Sequence, residues 1–337
     1  MTLLFFYAFF ISFTVLLFVI FLSHRYELFM DHSHTDKPQS FHTDTTSRAG
    51  GIGVLLGMFL LLLIPLGLKF LLSIIFAFLS GIFEDFHNSL SPKLRLFLQF
   101  IAASTAVWLS GAVVTYLGLG ISLPHWIGTI FSIFAIVGMM NAINIIDGFN
   151  GLASGVILMI LASFATVSYQ QHNYEILHII VITAGTTVGF FILNFPKGKI
   201  FLGDGGAYLL GFIVAIIGIF LASKYIHVSP WYVLAIFIYP VWEVIFSIVR
   251  KKYIGLSPME PDAYHLHMLI YRNITHSNPL TSLFILLTLL PSTLLSTLYA
   301  KSSKGNIAIV LCFIICYLIL YYYLQKKDAT HQSTLSS

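Results

Sequence analysis

Four short segments hold residues able to act on a charged group. The first is His42-Thr43-Asp44-Thr45-Thr46-Ser47-Arg48-Ala49-Gly50-Gly51. The second is Glu84-Asp85, followed by Leu90-Ser91-Pro92-Lys93-Leu94-Arg95. The third runs from Asn141 to Leu152 and contains Asn144, Asp147-Gly148 and Asn150-Gly151. The fourth runs from Asn194 to Gly206 and contains Lys197, Lys199, Phe201 and Asp204-Gly205-Gly206. Asp147 and Asp204 each precede glycine at the mouth of an apolar run. Glycine permits tight turns and close backbone approach. A helix beginning there presents unsatisfied N–H groups suited to a phosphate. A carboxylate in the same place repels phosphate unless a divalent cation lies between them, and Mg2+ is commonly held by one or two carboxylates plus phosphate oxygens and water. Acids from separate loops, with Arg48, Lys93, Arg95, Lys197 and Lys199 as the remaining positive charge, point to metal-assisted phosphoryl transfer. One Asp-Gly alone is an ordinary turn or N-cap; the weight lies in the set.

The elements that must position these residues are apolar. Of 337 residues, 58% are hydrophobic and 9% charged, against roughly 25% charged in a soluble domain. That excludes a soluble enzyme and leaves a chain solvated by lipid. The net charge of +4 is spread over short loops, so no nucleic-acid partner is expected. Cys312 and Cys316, four apart in an apolar run, read as packing residues rather than a disulfide or zinc site. We expect an all-α polytopic membrane protein with about 11 transmembrane helices and cytoplasmic loops forming the active site. The spans are 2–23, 50–65, 67–83, 95–116, 125–142, 152–169, 175–194, 206–222, 230–249, 280–299 and 306–324. The count falls to 10 if 50–83 is one span kinked at Pro65. The chain reads as a single integral-membrane domain, 1–337, with a short polar cytoplasmic tail at 325–337. The run 2–23 lacks a basic leader and reads as a retained span with its N-terminus outside.

Sorting the loops by span parity puts 13 of the 17 Lys and Arg on one side, which the positive-inside rule makes cytoplasmic. Eleven of the 13 acids fall on that side too, although the rule does not require it. Glu175 is on the other side, and Glu243 is inside a span. An intramembrane acid is a functional candidate by default; a structural partner is the competing reading. His265-Leu266-His267 reads better as a pair of phosphate-facing donors than as a zinc site.

In motif order from Arg48 to Arg272, the chain resembles the polyprenyl-phosphate N-acetylhexosamine-1-phosphate transferases. The residues are Asn144-x-x-Asp147-Gly148-x-x-Gly151-Leu152, Gly203-Asp204-x-Gly206, an acidic pair before Leu-Ser-Pro-Lys, and a late His-x-His. That glycosyltransferase 4-type family includes the phospho-MurNAc-pentapeptide translocase and the enzymes that start O-antigen and teichoic-acid linkage synthesis. The resemblance implies a bundle in the bacterial cytoplasmic (inner) membrane with its site facing the cytoplasm, as in a member initiating lipopolysaccharide or another surface polysaccharide. It implies that polyprenyl phosphate, such as undecaprenyl phosphate, attacks the β-phosphate of a UDP-N-acetylhexosamine and releases UMP, with Mg2+ (or Mn2+) as cofactor. It makes Asp85, Glu84, Asp204, His265 and His267 the catalytic candidates, with Asp204 and Asp85 on the metal. Asn144, Asp147, Asn194 and Phe201 become substrate-binding candidates, Phe201 stacking on uracil; Arg48 and Lys93 join them on their charge alone. A homodimer is left open.

Three positions depart from the family pattern: Glu84 begins the acidic pair, Asn150 replaces an acid, and Met268 ends the histidine motif. Sugar discrimination is expected at Pro261-Asp262 and His265-Leu266-His267. A transporter or lipid flippase is the competing class, but its internal repeats and midplane polar groups are not seen. A CDP-alcohol phosphotransferase is disfavoured because no Asp follows Asp147 before Asp204.

Overall fold

The structure, a computed structural model, describes residues 1–31, 46–87, 91–257 and 263–335. The helices begin with α1 (Thr2–Tyr26), α2 (Gly50–Met58), α3 (Pro65–His87), α4 (Pro92–Ser110), α5 (His125–Ile146), α6 (Leu152–Gln170) and α7 (Tyr174–Asn194). They continue as α8 (Gly203–Lys224), α9 (Pro230–Ile236), α10 (Ile238–Tyr253), α11 (Leu266–Ile270), α12 (Asn278–Leu298) and α13 (Ser303–Leu335). Two small antiparallel strand pairs are also described: β1 (Met30–Asp31) with β2 (Thr46–Ser47), and β3 (Tyr116–Gly118) with β4 (Ile121–Ser122). The protein is an all-α polytopic membrane protein.

Eight described helices are long and apolar enough to cross a membrane, or nine if α9 and α10 form one bent span. The expected count of 11 is therefore not reached by length and composition. Span 50–65 is a short apolar helix, Gly50–Leu63, whose last turns tighten to 3-10. Span 95–116 is α4, which stops at Ser110 because Gly111 adopts φ +59; the chain beyond it becomes the β3–β4 hairpin. Span 230–249 is broken, with α9 and α10 meeting at 77°. Pro240 supplies a reason: its ring collides with the carbonyl four residues back, which belongs to Ile236, the last residue of α9. The expected tail at 325–337 is helical through Leu335 as the end of α13.

Helices 50–63 and α3 run as separate elements, not as one kinked span. Gly51 and Gly81 both abut the start of α8, at Gly206 and Gly205. The far end is tied by Glu175, whose Oε1 accepts the Leu66 N–H at 2.7 Å. The lone acid expected outside is thus a structural partner of α3. At the centre stands α8, buried without a break from Gly205 to Ile219 and packed on α2, α3, α5 and α6. Its glycines allow close helix contact, as small residues do in membranes. A stripe of the same kind joins α1 to α7: Gly185 and Gly189 face Ala8 and Ser12, and Ser12 Oγ donates to Thr186 O at 3.0 Å. The free thiols Cys312 and Cys316 lie on the exposed face of α13.

Candidate active site

The site is built at the N-terminus of α8. Gly203 has φ +75, and a Cβ there would meet Asp85 Oδ2 at 2.7 Å. Asp85, from the end of α3, accepts the Asp204 N–H on Oδ1 and the Gly205 N–H on Oδ2, both at 2.8 Å. Its carboxylate thus caps a helix 119 residues further on and complements that helix's dipole. The resemblance puts Asp85 on the metal or lipid phosphate; here both oxygens hold α8 in place.

Asp204 points the other way. Its Oδ1 accepts from Asn144 Nδ2 at 2.9 Å, and its Oδ2 from Arg95 Nη1 at 3.0 Å. Arg95 lies 4.0 Å from Glu84 Oε1 as well. Helix periodicity sets this meeting. Asn141 Nδ2 donates to the buried Gln99 Oε1 at 2.7 Å, locking α5 to α4. One turn beyond that lock, on each helix, come Asn144 and Arg95. Ser91 and Pro92 start α4 as N-cap and first residue, so Lys93 lies exposed in its first turn while Arg95 reaches the acid. The motif reading treats Arg95 only as general positive charge and prefers Lys93 as a ligand; Arg95 is the one that meets Asp204.

Arg48 reaches the same end by backbone pairing. Phe201 N donates to Ser47 O, Gly50 N to Phe201 O and Gly51 N to Leu202 O, at 2.8–2.9 Å. Phe201 is half-buried in this seam. Asp147 ends α5 at its C-cap, partly buried. Burial, then the negative charges of Asp204 and Asp85, push its carboxyl well above the ordinary carboxylate range, while Arg48 pulls the other way. Three carboxylates therefore share one field at one end of the bundle.

Asn194 is buried, and both amide atoms serve the backbone. Oδ1 accepts the Gly151 N–H at 2.6 Å, and Nδ2 donates to Ile200 O at 2.8 Å. The structure gives it a scaffold position rather than that of the expected substrate contact. Asn150 is similar: Nδ2 donates to Pro196 O at 3.0 Å, and its N–H to Asn278 Oδ1 at 2.7 Å. An acid at 150 would lack that donor.

The histidines are buried beside α10. His265 Nδ1 lies 3.0 Å from Glu243 Oε2, and His267 Nδ1 lies 3.3 Å from Tyr239 Oη. His267 packs edge-on against Phe149, with ring centroids 5.6 Å apart, and its Nε2 lies beside Gly148. The Asp147–Asn150 turn thus sits between the carboxylates and the histidines. Asp44, Leu90, Pro261 and Asp262 lie outside the described residues.

Among the described residues, no three His, Cys, Asp or Glu side chains converge as an all-protein metal cage. Mg2+ does not need one, because it shares its shell with substrate phosphates and water. Asp204 and Asp147, each in the field of the other carboxylates, fit that requirement; Asp85 fits it less well, with its oxygens on α8.

Residues 68–222 match the model of glycosyl transferase family 4. The chain is similar to the phospho-N-acetylmuramoyl-pentapeptide-transferase of Streptococcus agalactiae serotype Ia, at 29% identity over 198 residues, 56% of this chain and 58% of that protein. It is 34% identical over 185 residues to the protein of the same name in Lactobacillus acidophilus, 52% of this chain and 56% of that one. It is 29% identical over 241 residues to the undecaprenyl-phosphate alpha-N-acetylglucosaminyl 1-phosphate transferase of Thermotoga maritima, 71% of this chain and 73% of that protein. The chain thus spans less than two thirds of the first two relatives. The matched segment carries Asp85, Arg95, Asn144, Asp147, Asn194 and Asp204, so the part of the chain that is similar to glycosyl transferase family 4 is the part that builds the site.

Proposed function

We propose that this protein transfers a sugar 1-phosphate, an N-acetylhexosamine 1-phosphate, from a UDP-sugar to polyprenyl phosphate and releases UMP. The observation that carries the reading is the convergence of Asp204, Asp147, Asn144, Arg95 and Arg48 at one end of a membrane bundle. Two phosphorylated substrates must be held there against their mutual repulsion. Arg95 and Arg48 offset phosphate charge, and Asn144 fixes the rotamer of Asp204. Asp204 and Asp147 would hold Mg2+, which, when bound, neutralises the diphosphate and polarises the phosphoryl group under attack. An oxygen of the lipid phosphate forms the new bond to the β-phosphorus. The bond to the α-phosphate bridging oxygen breaks, and UMP carries that electron pair away. Positioning and electrostatics supply most of such a rate enhancement.

In its pathway, the enzyme would begin a lipid-linked glycan for the cell surface, O-antigen among them, from the cytoplasmic face. The test supplies membranes carrying the chain with undecaprenyl phosphate, Mg2+ and a panel of UDP-N-acetylhexosamines. UMP and a lipid diphosphate sugar are expected from at least one donor, with loss of roughly 10²-fold or more in Asp204→Asn. UMP from no donor, or full activity in Asp204→Asn, refutes the proposal.

A further inference from the structure

Tyr239 and Glu243 are one turn apart on α10 and share a face. Each meets one histidine of the His265-Leu266-His267 segment. Glu243, 1% exposed, takes His265 Nδ1 on Oε2 at 3.0 Å and the Leu266 N–H on Oε1 at 3.2 Å. Tyr239 Oη lies 3.3 Å from His267 Nδ1. The two imidazoles are parallel, with planes 2° apart and centroids separated by 5.3 Å. The i, i+4 step of the helix thus matches the i, i+2 step of the segment, and both Nδ1 atoms face α10.

We infer that Glu243 is a positioning residue of the active site: it fixes His265 as the Nδ1–H tautomer and leaves Nε2 as the atom available to the reaction. A carboxylate has no proton to donate, so it requires Nδ1 to carry one; the hydrogen bond on one ring nitrogen sets the state of the other. The same carboxylate caps the start of α11 through Leu266, so ring orientation and segment position are set together. Burial of Glu243 excludes competing water. The segment so held reaches the Asp147 turn, where His267 Nε2 lies beside Gly148 and its ring packs on Phe149. Tyr239 holds His267 as the second rung.

Glu243→Gln is nearly isosteric and separates positioning from packing. Its single acceptor oxygen can serve Leu266 N–H or His265 Nδ1–H, but not both. The backbone N–H has no alternative protonation state, whereas the imidazole has one. The introduced amide therefore turns its NH2 to His265, which reverses the tautomer. The kinetic arm rests on the transferase reading; the spectroscopic arm does not. In protein labelled with 15N-histidine and assigned by loss of the His265→Gln signal, Glu243→Gln is expected to exchange the protonated nitrogen of His265. In the UMP-release assay, kcat falls on the order of 10²–10⁴-fold with KM little changed, as for other wrong-tautomer enzymes. Glu243→Asp, which retains the charge, recovers part of that loss and replaces Glu243→Gln if the latter does not fold. In a His265→Gln background, Glu243→Gln costs less than about twofold more, since groups acting as a unit are non-additive. An unchanged His265 nitrogen spectrum overturns the inference whatever the reaction is. Additive losses in the double variant overturn it as well. Absence of UMP from every donor in the wild-type protein refutes the transferase reading alone.

Discussion

At the residue scale, the acids that look alike in the sequence divide by what their oxygens meet. Asp85 faces two backbone N–H groups, Asp204 faces Arg95 and Asn144, and Asp147 faces two other carboxylates across the site. Asp147 therefore opposes the stability of the metal-free fold. Its folded pKa lies above the ordinary value of 3.8. A group raised in this way contributes stability that is fully present below 3.8 and is lost as pH climbs through its raised value. The metal-free protein should thus lose stability toward neutral pH, and Asp147→Asn should suppress that loss. Thermal unfolding in detergent with a chelator, wild type against Asp147→Asn, measures it. The variant's advantage should grow with pH, and a pH-independent difference contradicts the argument. Adding Mg2+ should narrow the gap, because the cation stabilises the ionised carboxylate.

At the element scale, the site depends on how closely α2, α3 and α8 approach. Asp85→Asn loses an acceptor and faces an NH2 against a backbone N–H, so it should cost about 1–2 kcal/mol of stability as well as activity. Asp204→Asn should lower activity with little change in stability. Unfolding midpoints for the two variants decide this; equal midpoints sink the distinction. Gly51→Ala tests the contact itself. The new Cβ would lie 2.7 Å from the Gly206 Cα, an atom that cannot swing aside. Little folded protein should be recovered from that variant, whereas Gly138→Ala, which meets open space, should be recovered normally. A well-folded Gly51→Ala with full activity would contradict the packing described.

These contrasts mark what was legible in the sequence. Apolar run length and loop charge located the helices and gathered Asp147, Asp204, Asn144 and Arg48 at one end, because those properties are local. The partners of Asp85, Asn194 and Glu243 were not legible. Each bonds to backbone or side chain across 22 to 120 residues, and residue type does not say which lone pair is taken. That Arg95 and not Lys93 meets Asp204 was not legible for a similar reason, since the Gln99–Asn141 lock sets which turn of α4 faces that acid. The short Gly50–Leu63 helix and the early stop at Ser110 escaped because hydropathy reports burial in lipid, not helix length.

At the scale of the whole molecule, charge and aromatic side chains point to one orientation. By loop parity in the sequence, 13 of the 17 Lys and Arg and 11 of the 13 acids are expected on the side that holds the site. At the opposite end, Trp108 and Trp126 are 81% and 66% exposed, and at the site end Tyr253 is 91% exposed, as expected for rings seated at the two membrane interfaces. Because cations bias their loops toward the cytoplasm, the site end should lie inside and the N-terminus and β3–β4 hairpin outside. Replacing Cys312 and Cys316 by serine leaves a background free of cysteine. Single cysteines at exposed Lys93 and exposed Ser122 then report the two ends. A membrane-impermeant maleimide should label Ser122→Cys on intact cells once the outer barrier is opened, and Lys93→Cys only after the inner membrane is broken. The reverse pattern would place the carboxylate cluster outside. There it could not reach a cytoplasmic nucleotide sugar, so the orientation bears directly on the chemistry proposed.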